Sequence, residues 1–82
     1  PPVLILDEPT SAVDAHTEAR IASRLREMRA GRTTVVFTTS PLVLEHMDAV
    51  HFAPDGVVTA SGRHAELLRD DADYRYVVTR EE

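Results

Sequence analysis

The 82-residue sequence has no cysteine, no tryptophan and no lysine, and all nine of its basic side chains are arginines. Without cysteine, neither a disulfide framework nor a thiolate metal site is available, and nothing points to an oxidising compartment. Without lysine, the chain cannot supply the phosphate-binding lysine of a glycine-rich P-loop. A cytosolic setting is therefore the default expectation.

Long apolar runs are missing as well. No stretch approaches the roughly 20 residues that cross a bilayer, and no basic segment followed by an apolar core indicates a signal peptide. Any membrane-spanning segment is expected outside these residues. The formal net charge is −5, with carboxylates concentrated in residues 66–73 and 81–82. Because such a surface repels nucleic-acid phosphates, we expect no nucleic-acid partner.

The most informative stretch is an aliphatic run, residues 3–6, that ends in the adjacent carboxylates Asp7 and Glu8. An apolar run without alternation is typical of a parallel strand covered on both faces, and Pro9 cannot continue a sheet ladder. In open α/β sheets, ligands bind at the carboxyl ends of the strands, where carboxylates suit Mg²⁺. We therefore expect Asp7 and Glu8 to lie at a ligand-binding edge.

The next segment predicts a βαβ unit. Apolar side chains at helical spacing indicate an amphipathic helix over residues 15–30, with Asp14 as its N-cap and Gly31 after its last turn. Residues 34–38 are mostly β-branched and predict a second buried strand, parallel to the first because a helix connects the two. Ser40 would then share an edge with Asp7 and Glu8.

The last part of the chain predicts smaller elements. Pro41 suits the first turn of a short helix. Residues 49–53 and 57–60 flank an Asp-Gly step and predict a hairpin. Residues 63–69 and 72–79 predict two short helices. Because so short a chain cannot cover a parallel sheet on both faces, we interpret it as part of a domain.

Several of these segments resemble the ATPase domain of ATP-binding cassette (ABC) proteins. Residues 3–8 resemble its Walker B strand, and residues 11–14 resemble its D-loop. Residues 38–42 are similar to its H-loop region, and residues 62–68 and 73–75 resemble the tail of exporter-type cassettes. The string Asp-Glu-Pro-Thr-Ser followed by Ala-Val-Asp is long and has a fixed spacing, so it is far more specific than an aliphatic run with one Asp.

The resemblance covers nearly the whole chain and implies the fold class. It implies an α/β, partial P-loop NTPase core of the RecA-like kind, with parallel strands, a crossover helix, and a C-terminal hairpin and short helices at 49–79. Residues 1–82 would be the C-terminal portion of one nucleotide-binding domain. The P-loop, the glutamine loop and the signature motif are not in this sequence.

The resemblance also implies roles for five residues. Asp7 would hold Mg²⁺, and Glu8 would act as general base towards the attacking water. Ser11 and Asp14 would contact the partner across an ATP-sandwich dimer, although a turn hydroxyl and a helix N-cap explain them equally well. Ser40 takes the position of the family's switch histidine. Because serine is shorter and neutral, we expect slower or altered hydrolysis.

On this interpretation the cofactors are ATP and Mg²⁺, and ATP hydrolysis drives transmembrane transport. The partners would be a second nucleotide-binding domain, identical or different, and the transmembrane domain of an exporter. The location would be the cytoplasmic face of the cell membrane. The isolated 82 residues are not expected to turn over ATP, because they lack a glycine-rich loop to hold the phosphates.

Other interpretations remain open at this point. One is a cassette segment that dimerises without hydrolysis, and another is a soluble ABC ATPase of DNA repair or translation. Helicase-type ATPases also carry an Asp-Glu pair, but not the residues that follow it here. A glycosidase is disfavoured, because neighbours on a strand point to opposite faces. The four histidines do not share metal-ligand spacing, so no zinc site is proposed.

Overall fold

The computed structural model describes residues 2–10 and 13–80. The elements in chain order are β1 (Val3–Asp7), α1 (Ala15–Met28), β2 (Thr33–Phe37), α2 (Pro41–Leu44), β3 (Val50–Phe52), β4 (Ala60–Gly62), α3 (His64–Asp70) and α4 (Ala72–Thr79). Within the described ranges, no helix combines the length and apolar character needed to span a bilayer.

Strands β1 and β2 pair in parallel, in a register that runs from Val3 opposite Thr33 to Asp7 opposite Phe37. The expectation of parallel strands joined by a crossover helix is therefore confirmed. Strand β2 begins and ends one residue earlier than expected. This shift makes Phe37 the last strand residue and leaves Thr38 in the loop that follows.

Helix α1 begins where its cap predicts and ends two residues early. The Asp14 side chain accepts a hydrogen bond from the Thr17 N–H, which satisfies one of the unpaired donors at the helix start. At the other end, the Arg29 guanidinium donates to the Thr34 hydroxyl and the Thr33 carbonyl, each at 3.0 Å. Gly31 has a φ of +79°, a conformation that glycine adopts without strain, and it turns the chain towards β2.

The hairpin forms, but its second strand lies further along the chain than expected. The expectation of a strand at residues 57–60 is wrong, since β4 pairs with β3 through Ala60 opposite Phe52. Val57 and Val58 lie in the connection and are 69% and 54% exposed. The register follows from packing, because Phe52 and Ala60 both contact the hydrophobic core, whereas the two valines do not.

The closed hydrophobic core lies in the second half of the chain. Helices α3 and α4 confirm the two predicted short helices. Within that core, the rings of Phe52 and Tyr74 meet edge to face with centroids 5.4 Å apart. The buried members are Leu44, Val50, Leu67, Tyr74 and Val78, and the partly buried residues packed on them are Met47, Phe52, Ala60 and Leu68.

The β1–β2 pair departs from the expectation of strands buried on both faces. In both strands, half-buried and exposed residues alternate. Four apolar side chains on these strands are exposed: Val3, Ile5, Val35 and Phe37. The physical reason is that a parallel sheet needs helices on both faces, and the described residues provide one crossover helix.

Candidate active site

Asp7 and Glu8 lie at the carboxyl edge of the parallel pair. Asp7 is the last residue of β1 and is paired with Phe37, the last residue of β2. The Glu8 N–H donates to the Phe37 carbonyl at 2.8 Å. Both acids are solvent-exposed. The end of β1 therefore places two exposed acidic residues at the edge where open α/β sheets bind their ligands.

Glu8 has an unusual backbone conformation. Its φ of +48° places it in the left-handed region, where it is the only non-glycine residue among those described. For an L-residue this conformation costs roughly 1 to 2 kcal/mol. The change of direction takes the chain out of the ladder immediately after Asp7, ahead of Pro9. The acid side chain therefore leaves the sheet from a turn and not from a regular strand position.

Ser40 lies just beyond the end of β2, but in a different setting from the acids. It is the N-cap residue of α2, its side chain makes no capping hydrogen bond, and its N–H donates to the Thr38 hydroxyl at 3.0 Å. Ser40 is half-buried and lines a groove of about 880 Å³. Val13 and Glu18 line the same groove. Among the described residues, neither Asp7 nor Glu8 lines this groove.

The two D-loop candidates differ in what the structure says about them. Ser11 lies outside the described residues. Asp14 is exposed and accepts from the Thr17 N–H at 3.4 Å. Hydrogen bonding to Thr17 lowers the pKa of Asp14 below its ordinary value, because the bond favours the carboxylate form. Asp14 thus performs the capping role, and its exposure leaves it accessible to a partner.

Two contacts were not anticipated from the sequence. The Thr10 hydroxyl donates to Oε2 of Glu18, and Thr10 is only 4% exposed. His64 Nδ1 and the Tyr74 hydroxyl are hydrogen-bonded at 2.7 Å, and both residues are buried. Burial raises the pKa of Tyr74 to about 12. The members of the first pair are separated by eight residues and those of the second by ten, so no local pattern indicates either contact.

The exposed carboxylates are better suited to a metal ion that is shared with a substrate than to one enclosed by protein side chains. Among the described residues, no cluster of three or more His, Asp or Glu side chains could enclose a metal ion. Mg²⁺ seldom needs such a cluster, since it is commonly held by one or two carboxylates together with substrate phosphates. The exposed Asp7 carboxylate at a strand end suits that arrangement. The donor set therefore fits a magnesium ion that is shared with a nucleotide.

Several ABC exporters are similar to this chain. It is 44% identical over 75 residues to the probable multidrug resistance ABC transporter ATP-binding/permease protein YheI of Bacillus subtilis, a match covering 92% of this chain and 13% of that protein. It is 40% identical over 73 residues to the ATP-dependent lipid A-core flippase of Hahella chejuensis, covering 89% and 12% respectively. No protein-family model matches the chain.

A comparison of the fold with solved structures also finds an ABC exporter. A bacterial Atm1-family ABC exporter, whose structure was solved with ATP bound, superimposes with a TM-score of 0.82 at 32% identity. The superposition covers 99% of this chain and 14% of the exporter chain, so the chain spans only a small part of the length of the proteins it matches. The resemblance to exporter-type cassettes is confirmed, and the fold class with it. The chain is homologous, over nearly all of its length, to part of the nucleotide-binding domain of ABC exporters.

Proposed function

We propose that residues 1–82 form the C-terminal portion of one nucleotide-binding domain, and that the protein carrying them couples ATP hydrolysis to transmembrane transport. In this assignment residues 3–8 are the Walker B strand, 11–14 the D-loop and 38–42 the H-loop region. The observation that supports it most strongly is the display of Asp7 and Glu8 at the carboxyl edge of a parallel pair. The homology to ABC exporters supports the transport role.

Each of the two acids has its own part in the proposed chemistry. Asp7 would hold Mg²⁺, which offsets negative charge on the β- and γ-phosphates when it is bound. Glu8 would orient the attacking water and accept its proton as the oxygen bonds to the γ-phosphorus and the bond to ADP breaks. The exposed position of Glu8, directly after the strand, supports this role because water and nucleotide can both reach it.

The proposed partners would supply the parts of an ATP-driven transporter that this 82-residue chain does not contain. Its sequence has no glycine-rich phosphate-binding loop, so the phosphates would be held by another part of the same polypeptide. The exposed Asp14 at the start of α1 supports contact with a second nucleotide-binding domain. A transmembrane domain of the same transporter would place this assembly at the cytoplasmic face of the cell membrane.

A second candidate function is a cassette that binds or dimerises without efficient turnover. The specific feature in its favour is Ser40, which by the resemblance would take the position of the switch histidine and whose short neutral side chain makes no capping hydrogen bond. Glu8 argues for the hydrolytic function, because a purely structural cassette has no need of an exposed acid in a strained turn.

The test of the hydrolytic function is Glu8→Gln in the intact protein. The amide keeps the size of the side chain but cannot accept the proton of the attacking water. We expect ATP affinity to change less than about twofold and phosphate release to fall by at least about 100-fold, the range of general-base catalysis. Titration with a fluorescent ATP analogue and a phosphate-release assay measure the two quantities.

The matched control for this test is Glu27→Gln, which makes the same chemical change at an exposed position on α1. It should leave both ATP affinity and phosphate release unchanged. Normal hydrolysis by Glu8→Gln would remove Glu8 from the mechanism, whereas an intact parent protein that binds ATP without releasing phosphate would favour the non-hydrolysing candidate.

A further inference from the structure

Thr10 is one of two buried polar residues among those described, and its burial is explained by Glu18. The Thr10 hydroxyl donates to Oε2 of Glu18, which lies in the first turn of α1. Glu18 is half-buried, and its own N–H donates to the Asp14 carbonyl at 2.8 Å. Because a buried hydroxyl needs a hydrogen-bond partner, Glu18 is the group that allows Thr10 to remain inside.

This contact lies close to the strained residue Glu8. A non-glycine residue stays in the left-handed region only where its surroundings hold it there. On one side, the Glu8 N–H is fixed to the carbonyl of Phe37 in β2. On the other side, two residues along the chain, Thr10 is fixed to Glu18 in α1. The turn at residues 8–10 is therefore held between the sheet and the helix.

We propose that Glu18 is a positioning residue for the hydrolysis assigned to Glu8, acting through Thr10 on the backbone of the turn. Glu18 does not contact the reacting atoms. It holds the Glu8 backbone in place and thereby sets the position of the Glu8 carboxylate relative to the attacking water. This inference rests on the proposed function of Glu8, because a turn that presents no catalytic group has nothing to position.

The proposal separates turnover from binding. Proton transfer to a general base depends on the placement of that base to within a fraction of an ångström, so a looser turn lowers the rate of the chemical step. ATP affinity depends mainly on contacts to the phosphates that other parts of the polypeptide supply. Loss of the Thr10–Glu18 contact should therefore lower kcat and leave KM for ATP nearly unchanged.

Glu18 also has a simpler structural role from which this one must be distinguished. An acid in the first turn of a helix interacts favourably with the helix dipole, and that interaction needs the negative charge. The contact with Thr10 needs only an acceptor oxygen. Glutamine keeps the acceptor and loses the charge, so Glu18→Gln separates positioning from helix stabilisation.

The experiment compares four variants of the intact protein by steady-state ATP hydrolysis and thermal melting. Glu18→Ala and Thr10→Val, which break the contact, should each lower kcat on the order of 10-fold with KM within about twofold. Glu18→Gln and Thr10→Ser, which preserve it, should keep kcat within about twofold of the parent protein. The double variant Thr10→Val/Glu18→Ala should be no slower than the slower single variant, because both changes remove the same contact.

The matched control is Glu27→Ala, which removes an exposed glutamate from the same helix and should leave kcat and KM unchanged. The proposal is overturned if Glu18→Gln is as slow as Glu18→Ala, or if the contact-breaking variants melt earlier but hydrolyse ATP at the parental rate. Should Glu18→Ala not fold, the comparison of Thr10→Val with Thr10→Ser decides the same question.

A parallel measurement of Glu8→Gln keeps this proposal distinct from the proposed function. If Glu8→Gln hydrolyses ATP normally, the hydrolytic role of Glu8 fails and the positioning role fails with it. If Glu8→Gln is inactive while Glu18→Ala and Thr10→Val retain the parental kcat, only the positioning role is wrong.

Discussion

The β1–α1–β2 unit and the segment from α2 to α4 differ in how they bury their apolar side chains. The later segment closes a core in which Tyr74, 2% exposed, is clustered with Leu44, Val50, Leu67 and Val78. The earlier unit displays apolar side chains to solvent on both of its strands, and Ile5 is 64% exposed. The core that stabilises the described residues thus lies largely in the segment that lacks the candidate acids.

Among the described residues, the closed hydrophobic core and the candidate acids thus lie in different segments of the chain. Asp7 and Glu8 belong to the unit with the uncovered apolar positions, where a parallel sheet has a crossover helix on one side. The hairpin and the last two helices bring no candidate catalytic residue. Substitutions in the later segment should therefore lower mainly the free energy of unfolding. Substitutions at the acids of the earlier unit should lower mainly the rate of ATP turnover.

The largest expected effect on stability is that of Tyr74→Ala. Removal of a buried aromatic ring should lower the free energy of unfolding by roughly 3 to 5 kcal/mol, because a cavity replaces the ring and its contact with Phe52. Ile5→Ala, on the exposed positions of β1, should change it by less than about 0.5 kcal/mol. Once circular dichroism has shown that the isolated 82-residue chain is folded, its urea unfolding measures both values. Equal losses in the two variants would contradict the contrast between the segments.

A smaller effect is expected at alkaline pH. Burial raises the pKa of Tyr74 from its ordinary value near 10 to about 12. Between these values the unfolded chain releases the phenol proton and the folded chain retains it, so stability is complete below pH 10 and falls as the pH rises towards 12. We expect a loss of roughly 2 kcal/mol across this window. The absence of lysine and cysteine keeps the window nearly free of other titrating side chains.

Urea unfolding at several pH values between 9 and 12 measures this loss. In Tyr74→Phe the loss should disappear, together with about 1 kcal/mol of stability at neutral pH from the hydrogen bond to His64. Tyr76→Phe is the matched control, since Tyr76 is largely exposed and should not alter the alkaline decline. A decline that persists in Tyr74→Phe would show that another group causes it.

What could be predicted from the sequence depended on whether the deciding interaction is local. The N-cap at Asp14 and the parallel pairing of β1 with β2 follow from neighbouring residues and from the length of the connection. The position of β4 does not. Val57 and Val58 have a strong local preference for a strand, but the packing of Phe52 on the core selects another register.

In the candidate site, too, features that depend on neighbouring residues could be predicted, whereas longer-range contacts could not. Its two acids are visible in the sequence because an aliphatic run and a proline frame them. The Thr10–Glu18 contact is not, because it depends on how the start of α1 folds back over the turn that follows β1. Nor could the sequence indicate the left-handed conformation of Glu8, since glutamate has no preference for it. The contacts that hold a candidate catalytic residue in place are thus the part that the sequence alone does not reveal.

The smallest expected effect concerns Ser40, which lies where the two regions meet, at the start of α2. The Ser40 side chain makes no capping hydrogen bond, so its replacement should not disturb the helix. Ser40→His would add a longer side chain with two ring nitrogens in place of one hydroxyl, and we expect phosphate release by the intact protein to rise about 3- to 10-fold. Ser40→Ala serves as the comparison and should give no such gain. An unchanged rate in Ser40→His would mean that the serine at this position does not limit turnover.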